Sequence, residues 1–464
     1  MTTRRRSPAL YALMVLAPVL FIVGVLQFGP VVFPSLGAAS TTASAAPTAA
    51  PAGAPSGPAA FNLTRLVLQL VVILLAVRVV GLVAKRLGQP SVIGEMVAGI
   101  LLGPSVFGAL APAAFAQLFP AASLPMLNSL AQLGVMLFLF VVGLHVDLGA
   151  LHRQGSTALV ASHASIAAPF SMGVALALWL YPHFAPSGVP FAAFALFIGV
   201  AMSITAFPVL ARILEERHLL GTPIGTLAVA CAAVDDVTAW MLLAIVVAIV
   251  KAGSVGSALA LSLGGTVLFL LLMLRVVRPW LERLVPTAPD GERLPTSAIA
   301  VMVLVALVSA AVTEAIGVHA LFGAFIAGAV MPRGRAFGER AAAQLSDLLV
   351  VLLLPLFFAY TGLRTAFVFD GVGATLVPLA MILAVAIIGK VGGTAVAARA
   401  SGQSWRDAGM LGILMNTRGL MELVVLNIGL DLGVLSPALF AMMVIMALVT
   451  TMMTVPALSL MERR

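Results

Sequence analysis

Two adjacent carboxylates lie in the middle of an apolar run that is long enough to cross a bilayer. The run reads VACAAVDDVTAWMLLA over residues 229–244, with Asp235 and Asp236 near its centre. An acidic residue at the centre of a membrane helix costs about 2.5–3.5 kcal/mol on insertion scales. Consecutive helical residues point about 100° apart. We therefore expect one aspartate to face a partner helix and the other to face a water-filled cavity, where it could hold either a proton or a monovalent cation.

A single lysine is placed to neutralise one of these aspartates. Lys390 lies in AIIGKVGGT, near the middle of a second apolar segment, and no other lysine lies at that depth. We expect a buried ion pair between Lys390 and one carboxylate, which leaves the second carboxylate to exchange its occupant. The alternative is a purely structural cluster of buried charges.

Two further segments combine polar side chains with residues that interrupt a helix. In AMSITAFPVLARILEE (201–216), Ser203 and Thr205 precede Pro208, and a proline inside a helix removes one backbone hydrogen bond. The second segment, LMNTRGLMELVV (414–425), has polar and helix-weakening residues at Asn416, Thr417, Arg418, Gly419 and Glu422. Backbone groups freed at membrane depth must be satisfied by protein or water, so both segments are candidates for a site.

Composition places these residues in a membrane protein. Hydrophobic residues make up 62% of the 464-residue chain and charged residues only 9%, whereas soluble domains carry about 25% charge. We predict an all-α polytopic protein with about thirteen transmembrane helices. The predicted spans are 63–86, 91–108, 127–148, 156–181, 190–214, 222–250, 257–278, 296–316, 318–332, 347–366, 374–399, 405–430 and 436–460.

Basic residues orient these spans. One set of alternate connections is rich in arginine and lysine, while the other set holds little more than Lys251 and Arg364. Because Lys and Arg favour the cytoplasmic side, odd-numbered spans run inward and the C-terminus is cytoplasmic. The predicted location is the cell (inner) membrane.

The two interrupted segments fall in spans five and twelve, which cross the membrane in opposite directions. Interrupted helices at matching positions of oppositely oriented halves indicate a transporter site built by inverted repeats. The ends of half-helices carry partial charges, so we expect Arg418 to neutralise C-terminal ends and Glu422 N-terminal ends. The alternative for these two residues is an i,i+4 ion pair that stabilises one helix.

The first 60 residues differ from the rest of the chain. Three arginines precede an apolar stretch at 10–26, and an Ala/Pro/Ser-rich tract follows. This pattern is typical of a signal peptide or an anchor helix followed by an extracytoplasmic linker. Residues 61–464 form the predicted transmembrane domain, and no soluble regulatory domain is expected. With no Walker-type loop and no GxGxxG after a strand, we predict no nucleotide and no cofactor. The net charge of +8 reflects the position of basic residues relative to the membrane, so we predict no nucleic-acid partner.

Several motifs resemble those of a known family. They are QPSVIGEMVAGILLGPSVFG, AMSITAFPVLARILEE, AAVDDVTAW, GVHALFGAFIAGAVMP and LMNTRGLMELVVLNIGLDLGVL. Residues 63 to 460 resemble the membrane domain of the monovalent cation:proton antiporter-2 family, especially its plant cation/proton exchangers and Kef-type bacterial members. The resemblance implies a sodium/proton antiporter-like fold, in which two discontinuous helices cross. It also implies a core domain (helices of about 156–250 and 374–460), a dimerisation scaffold, an elevator-like motion and a homodimer.

The resemblance also assigns roles to individual positions. Asp236 matches the carboxylate that binds the monovalent cation and the proton. Asp235 occupies the position that is aspartate in electrogenic sodium/proton antiporters, where Lys390 matches its lysine partner. Ser203 and Thr205 match the helix break whose oxygens help to coordinate the cation.

We therefore predict a secondary antiporter, not an enzyme, that exchanges Na⁺ or K⁺ for protons electrogenically. The alternative is a Kef-type K⁺ efflux channel. An intramembrane aspartyl protease would need carboxylates on different helices that share a proton. An organic-anion symporter fits Lys390 and the paired aspartates poorly. The sequence does not choose between Na⁺ and K⁺.

Overall fold

The computed structural model describes most of the chain as helices. The described residues are 7–32, 62–144, 156–219, 222–252, 257–284, 294–316, 319–332, 335–366 and 372–462. The predicted linker after residue 32 lies outside these ranges, as do residues 1–6. The predicted division of the chain into a 1–60 segment and a transmembrane domain therefore stays a prediction.

The described residues contain helices and no strand, as predicted. The helices are α1 (Ser7–Val32), α2 (Leu63–Arg86), α3 (Ser91–Leu102), α4 (Phe107–Leu110), α5 (Pro112–Leu118), α6 (Leu124–Leu144), α7 (Ser156–Phe184), α8 (Phe191–Ser203), α9 (Phe207–Glu216), α10 (Pro223–Ala252), α11 (Ser257–Leu272), α12 (Arg278–Leu284), α13 (Thr296–Ala315), α14 (Ala320–Ala329), α15 (Arg335–Leu348), α16 (Leu354–Leu363), α17 (Val372–Ile387), α18 (Gly393–Ala400), α19 (Trp405–Met415), α20 (Leu420–Asp431) and α21 (Pro437–Glu462). Five-residue π-turns join α11 to α12, α15 to α16 and α17 to α18. An all-helical chain is expected, because backbone polar groups in lipid must be satisfied within their own segment.

Each of the thirteen predicted spans overlaps a helix or a pair of half-helices. Nine helices within the described ranges are long and apolar enough to cross a membrane. The predicted spans 190–214 and 405–430 are not continuous, and each consists of two half-helices. The predicted spans 318–332 and 347–366 contain the shorter apolar helices α14 and α16. The all-α polytopic architecture is confirmed.

Apolar surface lies on both the inside and the outside of the bundle. α2 presents large exposed side chains, including Leu68, Leu75 and Leu82, on the face away from its buried Ile73 and Val77. This arrangement is expected of a helix that contacts lipid. α1 packs against α7, with Ile22, Val25 and Leu26 partly buried against the main hydrophobic core.

Glycines allow neighbouring helices to approach closely. α6 and α14 meet at Gly143 and Gly328, where a Cβ atom on Gly328 would lie 3.0 Å from the Cα of Gly143 and overlap the carbonyl oxygen of Phe140. α3 and α16 meet in the same way at Gly99 and Gly362. Small residues at membrane helix contacts let backbones pack directly, so these pairs fix the spacing of four helices.

We expect Gly328→Val to destabilise the protein. The added side chain would force apart the backbones of α6 and α14, and overpacking of this kind costs about 1–3 kcal/mol. The measurement is the apparent melting temperature of the detergent-solubilised protein, read by size-exclusion chromatography after heating. Gly264→Ala is the matched control, because a Cβ atom there meets nothing within 4 Å. An unchanged melting temperature in Gly328→Val would contradict the close contact.

Candidate functional site

Asp235 is the most densely bonded side chain of the predicted site. Its Oδ1 accepts hydrogen bonds from Ser162 Oγ at 2.6 Å and from Ser165 Oγ at 2.9 Å. Its Oδ2 accepts from Thr205 Oγ1 at 2.9 Å and from Lys390 Nζ at 3.0 Å. All five side chains are buried, and a buried charge is tolerated only when it is paired and hydrogen-bonded. Asp235 is therefore the aspartate that faces partner helices.

Lys390 reaches Asp235 because the backbone around it is both bulged and close to α7. It lies in the π-turn Ile388–Gly392, and π-turns alter the direction of side chains within a helix. A Cβ atom on Gly389 would lie 2.8 Å from Cα of Pro169 in α7, so glycine is needed for this approach. Nζ of Lys390 also donates a hydrogen bond to the carbonyl oxygen of Ser203. The lysine thus joins α7, α10 and the end of α8.

The two interrupted segments touch each other at their breaks. α8 ends at Ser203 and α19 ends at Met415, and the extended residues that follow each end are hydrogen-bonded together. The amide of Ala206 donates to the carbonyl of Thr417 at 2.9 Å. Thr205 Oγ1 lies 3.1 Å from the carbonyl oxygen of Met415. The bond between Ala206 and Thr417 satisfies two backbone groups that the missing helical turns leave free, while the one hydroxyl proton of Thr205 is donated to Asp235.

Pro208 lies beside the first break and not in it. Residues 204–206 are non-helical, and Pro208 is the second residue of α9. A proline in the first turn of a helix costs no hydrogen bond, because the amides there have no partner within the helix. At the second break, Gly419 precedes α20, where a Cβ atom would lie 2.7 Å from Val209 Cγ2 of α9.

Arg418 holds the end of α8 and forms an ion pair within its own segment. Nη1 donates to the carbonyl of Ala201 at 2.8 Å, and Nη2 donates to that of Met202 at 2.6 Å. Nη1 also lies 2.8 Å from Glu422 Oε2, which is in the first turn of α20. A cation at a helix C-terminus and an anion at a helix N-terminus are both favoured by the helix dipole. Arg418 and Glu422 thus lie at the ends of half-helices and also form an i,i+4 ion pair, so both interpretations of the sequence apply.

Asp236 contrasts with its neighbour. Its side chain is only 2% exposed, yet its Oδ1 has no hydrogen-bond partner among the described residues. A carboxylate oxygen that is buried without a protein partner is a candidate for binding a proton, a cation or a water molecule. The predicted difference between the two aspartates is therefore present in the geometry, while the role of Asp236 as the cation ligand stays a prediction.

The side chains of the remaining predicted residues, Ser203, Asn416 and Thr417, form no hydrogen bond to either aspartate among the described residues. The hydroxyl of Ser203 donates to the carbonyl of Val200 at 2.8 Å, so only its backbone oxygen joins the site. Asn416 caps α19, and its Oδ1 is buried without a partner within the described part of the chain. The hydroxyl of Thr417 donates to the carbonyl of Leu414 at 2.8 Å.

Sequence reasoning missed Ser162 and Ser165. They lie three residues apart in VASHASIAAP, on one face of α7, and both contact Asp235. Serines spaced three apart in an apolar span were a signal that could have found them. Serine is also common at ordinary membrane helix contacts, so the spacing alone does not distinguish the two uses.

Comparisons with known proteins show which proteins this chain is similar to. The family model described as "Sodium/hydrogen exchanger, transmembrane" matches residues 70–461. The Na(+)/H(+) antiporter NhaS4 of Synechocystis sp. is 41% identical over 388 residues, which cover 83% of this chain and 94% of that protein. Cation/H(+) antiporter 19 of Arabidopsis thaliana is 40% identical over 406 residues, which cover 87% of this chain. The match spans only 50% of the length of the plant relative.

A solved structure shares the fold. The sodium proton antiporter MjNhaP1 from Methanocaldococcus jannaschii matches with a TM-score of 0.60, covering 85% of this chain and 96% of that one. The sequences are only 14% identical, so this match concerns the fold alone. It confirms the predicted antiporter-like fold.

We expect Arg418→Leu to destabilise the protein strongly. The substitution leaves Glu422 and two carbonyls of α8 buried without their donor, and removing one partner of a buried pair costs about 3–5 kcal/mol. The measurement is the fraction of monodisperse protein after heating in detergent. Arg278→Leu is the matched control, because Arg278 and Glu282 form an i,i+4 pair at the surface, where such pairs contribute about 0.3–0.5 kcal/mol. Equal losses in the two variants would contradict the assigned role.

Proposed function

This chain belongs to the sodium/hydrogen exchanger family, and we propose that its monovalent cation, Na⁺ or K⁺, and its proton compete for Asp236. Family membership confirms the predicted cation/proton antiport. The observation that supports the proposed site is the unequal bonding of two adjacent buried aspartates. Asp235 is saturated by donors from three other segments, while Asp236 keeps an oxygen without a partner in the described structure.

Exchange at such a site follows from charge balance. As long as the Lys390–Asp235 pair stays closed, a protonated Asp236 is neutral and a cation bound to its ionised form is neutral as well, so both loaded forms avoid an uncompensated charge in the membrane. The empty, ionised form is the costly one. An occupant is therefore replaced more readily than it is simply lost, and this coupling requires no nucleotide hydrolysis.

We propose that Lys390 and Asp235 make the exchange electrogenic. Their ion pair holds one positive and one negative charge at 3.0 Å, beside the carboxylate that binds the cation. If the approaching cation displaces Lys390 from Asp235 and the lysine releases its proton, two protons leave for each cation bound. If the pair stays closed throughout the cycle, one proton leaves and the exchange is electroneutral.

Alternating access needs a contact that opens and closes between the two predicted domains. We propose that the outer clamp, formed by Thr361 and Arg364 with Asn427 and Asp431, is that contact on the extracytoplasmic side. Arg364 Nη1 lies 2.7 Å from Asp431 Oδ1, and Asn427 Nδ2 donates to Thr361 Oγ1 at 2.9 Å. Asn427 and Asp431 belong to α20 of the predicted core, while Thr361 lies in α16 of the predicted scaffold and Arg364 caps its end.

The clamp also accounts for an exception in the charge pattern. Arg364 is one of the few basic residues that the sequence places on the outer side, and its guanidinium is neutralised by Asp431. An elevator-like displacement of the core would have to break this pair. The predicted homodimer, the cell-membrane location and the cytoplasmic C-terminus belong to the same proposal.

The alternative prediction, a K⁺ efflux channel, differs from exchange in a measurable way. A channel passes K⁺ down its gradient without moving protons, and its flux does not require an imposed pH gradient. Saturable, cation-dependent collapse of a pH gradient in proteoliposomes separates exchange from channel conduction. Tested with Na⁺, K⁺, Li⁺ and Rb⁺ in turn, with the membrane potential clamped and unclamped, the assay also reports selectivity and electrogenicity.

We expect Asp236→Asn to abolish exchange, with at least a 100-fold loss of cation-dependent proton flux in proteoliposomes, because an amide can neither release a proton nor neutralise a cation. Asp235→Asn should retain slower exchange that no longer responds to membrane potential. Asp407→Asn is the control, since Asp407 lies in the exposed first turn of α19. Normal flux in Asp236→Asn would refute the assignment of the site.

We expect Arg364→Asp to slow exchange about fivefold, because like charges would then face each other across the outer clamp. The double variant Arg364→Asp/Asp431→Arg restores the opposite charges and should recover most of the wild-type rate. Initial rates of all four proteins in one proteoliposome assay complete the double-mutant cycle. If the double variant is no faster than the single ones, the clamp does not control the rate.

A further inference from the structure

Trp240 is a buried side chain without a role in the exchange proposed above. Its indole ring is 3% exposed, and its Nε1 has no hydrogen-bond partner within the ranges that the structure describes. Buried indole N–H groups usually find a partner. An indole in lipid-exposed surroundings could be explained by the membrane interface, but this one is enclosed by protein. Its free donor therefore points to a small ligand or a water molecule.

The position of Trp240 in α10 places it one helical turn beyond Asp236. The two residues are four apart, so they lie on the same face of the helix with Cβ atoms about 5–6 Å from each other. Large helical side chains point back towards the N-terminus and cover the preceding turn. The indole consequently covers the turn that carries Asp236.

A second contact fixes the ring in this place. Trp240 stacks on Phe325 of α14, with ring centroids 6.3 Å apart and an angle of 27° between the planes. Phe325 is itself buried, and α14 is held against α6 by the glycine contact at Gly328. The stacking therefore holds the plane of the indole ring beside Phe325.

An unsatisfied acceptor and an unsatisfied donor thus lie one helical turn apart. Asp236 Oδ1 and Trp240 Nε1 are both buried and without hydrogen-bond partners in the described residues, and they do not bond to each other directly. One water molecule spans about 5.5 Å between a donor and an acceptor, as the sum of two ordinary hydrogen bonds. A buried water that satisfies two orphaned polar groups is a common feature of protein interiors.

We propose that Trp240 is a positioning residue for the cation, acting through one water molecule that accepts from its indole N–H and donates to Asp236 Oδ1. This bond fixes the rotation of the carboxylate and leaves Oδ2 directed at the cation. The inference rests on the proposed site at Asp236. It adds that the affinity of the site for the cation depends on the indole N–H group of Trp240.

The decisive variant is Trp240→Phe, which keeps an aromatic ring against Phe325 but removes the N–H donor. We expect the KM for the cation to rise about tenfold, while the maximal rate changes less than about twofold. The measurement is the initial rate of pH-gradient collapse in proteoliposomes over a range of Na⁺ and K⁺ concentrations. Trp179→Phe is the matched control, because Trp179 also stacks on a neighbouring ring, that of His183.

A second variant separates the donor from packing. Replacement of Trp240 by β-(3-benzothienyl)alanine keeps the two-ring shape and lacks only the N–H group, and it should reproduce the increase in KM with an unchanged melting temperature. A KM equal to that of wild type in this variant would overturn the inference. If the wild-type protein shows no cation-dependent proton flux, the proposed function fails instead, so the two failures are distinguishable.

Discussion

The ion pair between Lys390 and Asp235 is the interaction on which the rest of the site depends. Two full charges in the middle of a membrane protein are tolerated only if they pair with each other and accept or donate further hydrogen bonds. Ser162, Ser165 and Thr205 supply those bonds to the carboxylate, and the carbonyl of Ser203 supplies one to the ammonium. Because these groups come from separate helices, satisfying one aspartate fixes the relative positions of α7, α8, α10 and α17. The second aspartate, Asp236, takes no part in this set of bonds, and its Oδ1 has no partner in the described part of the chain.

The partial charges at the ends of the broken helices are neutralised by side chains whose net charge is zero. The end of α8 presents carbonyls, and Arg418 binds two of them; the start of α20 presents amides, and Glu422 lies in that turn. The two side chains then neutralise each other at 2.8 Å. Thr451 completes the break by accepting from the amide of Arg418 at 2.9 Å and donating to its carbonyl. The crossing is therefore held by a neutral ion pair and by hydrogen bonds to backbone groups, while Arg418 Nε and Glu422 Oε1 keep no partner among the described residues.

Sequence reasoning identified the residues of the site better than it identified their contacts. Depth in an apolar span was enough to select Asp235, Asp236, Lys390, Arg418 and Glu422, because charges at that depth are rare. Depth alone did not decide which aspartate pairs with Lys390; the family resemblance assigned the lysine to Asp235, and the two side chains form an ion pair at 3.0 Å. Pro208 marked the first break to within a few residues, but the unwound backbone precedes it. Ser162 and Ser165 were overlooked because their spacing is also that of an ordinary helix contact.

The π-turn at Ile388–Gly392 has a consequence for how this protein should be compared with others. Such a turn holds one more residue than the α-helical turn it replaces. A relative that lacked that residue would carry all side chains beyond it about 100° further around the helix, and a lysine at the aligned position would then face a different neighbour. In this segment, an aligned lysine is therefore a weaker indication of the same contact than an equal number of residues in the turn. Two aligned sequences could share every motif and still differ in whether the lysine meets the first carboxylate.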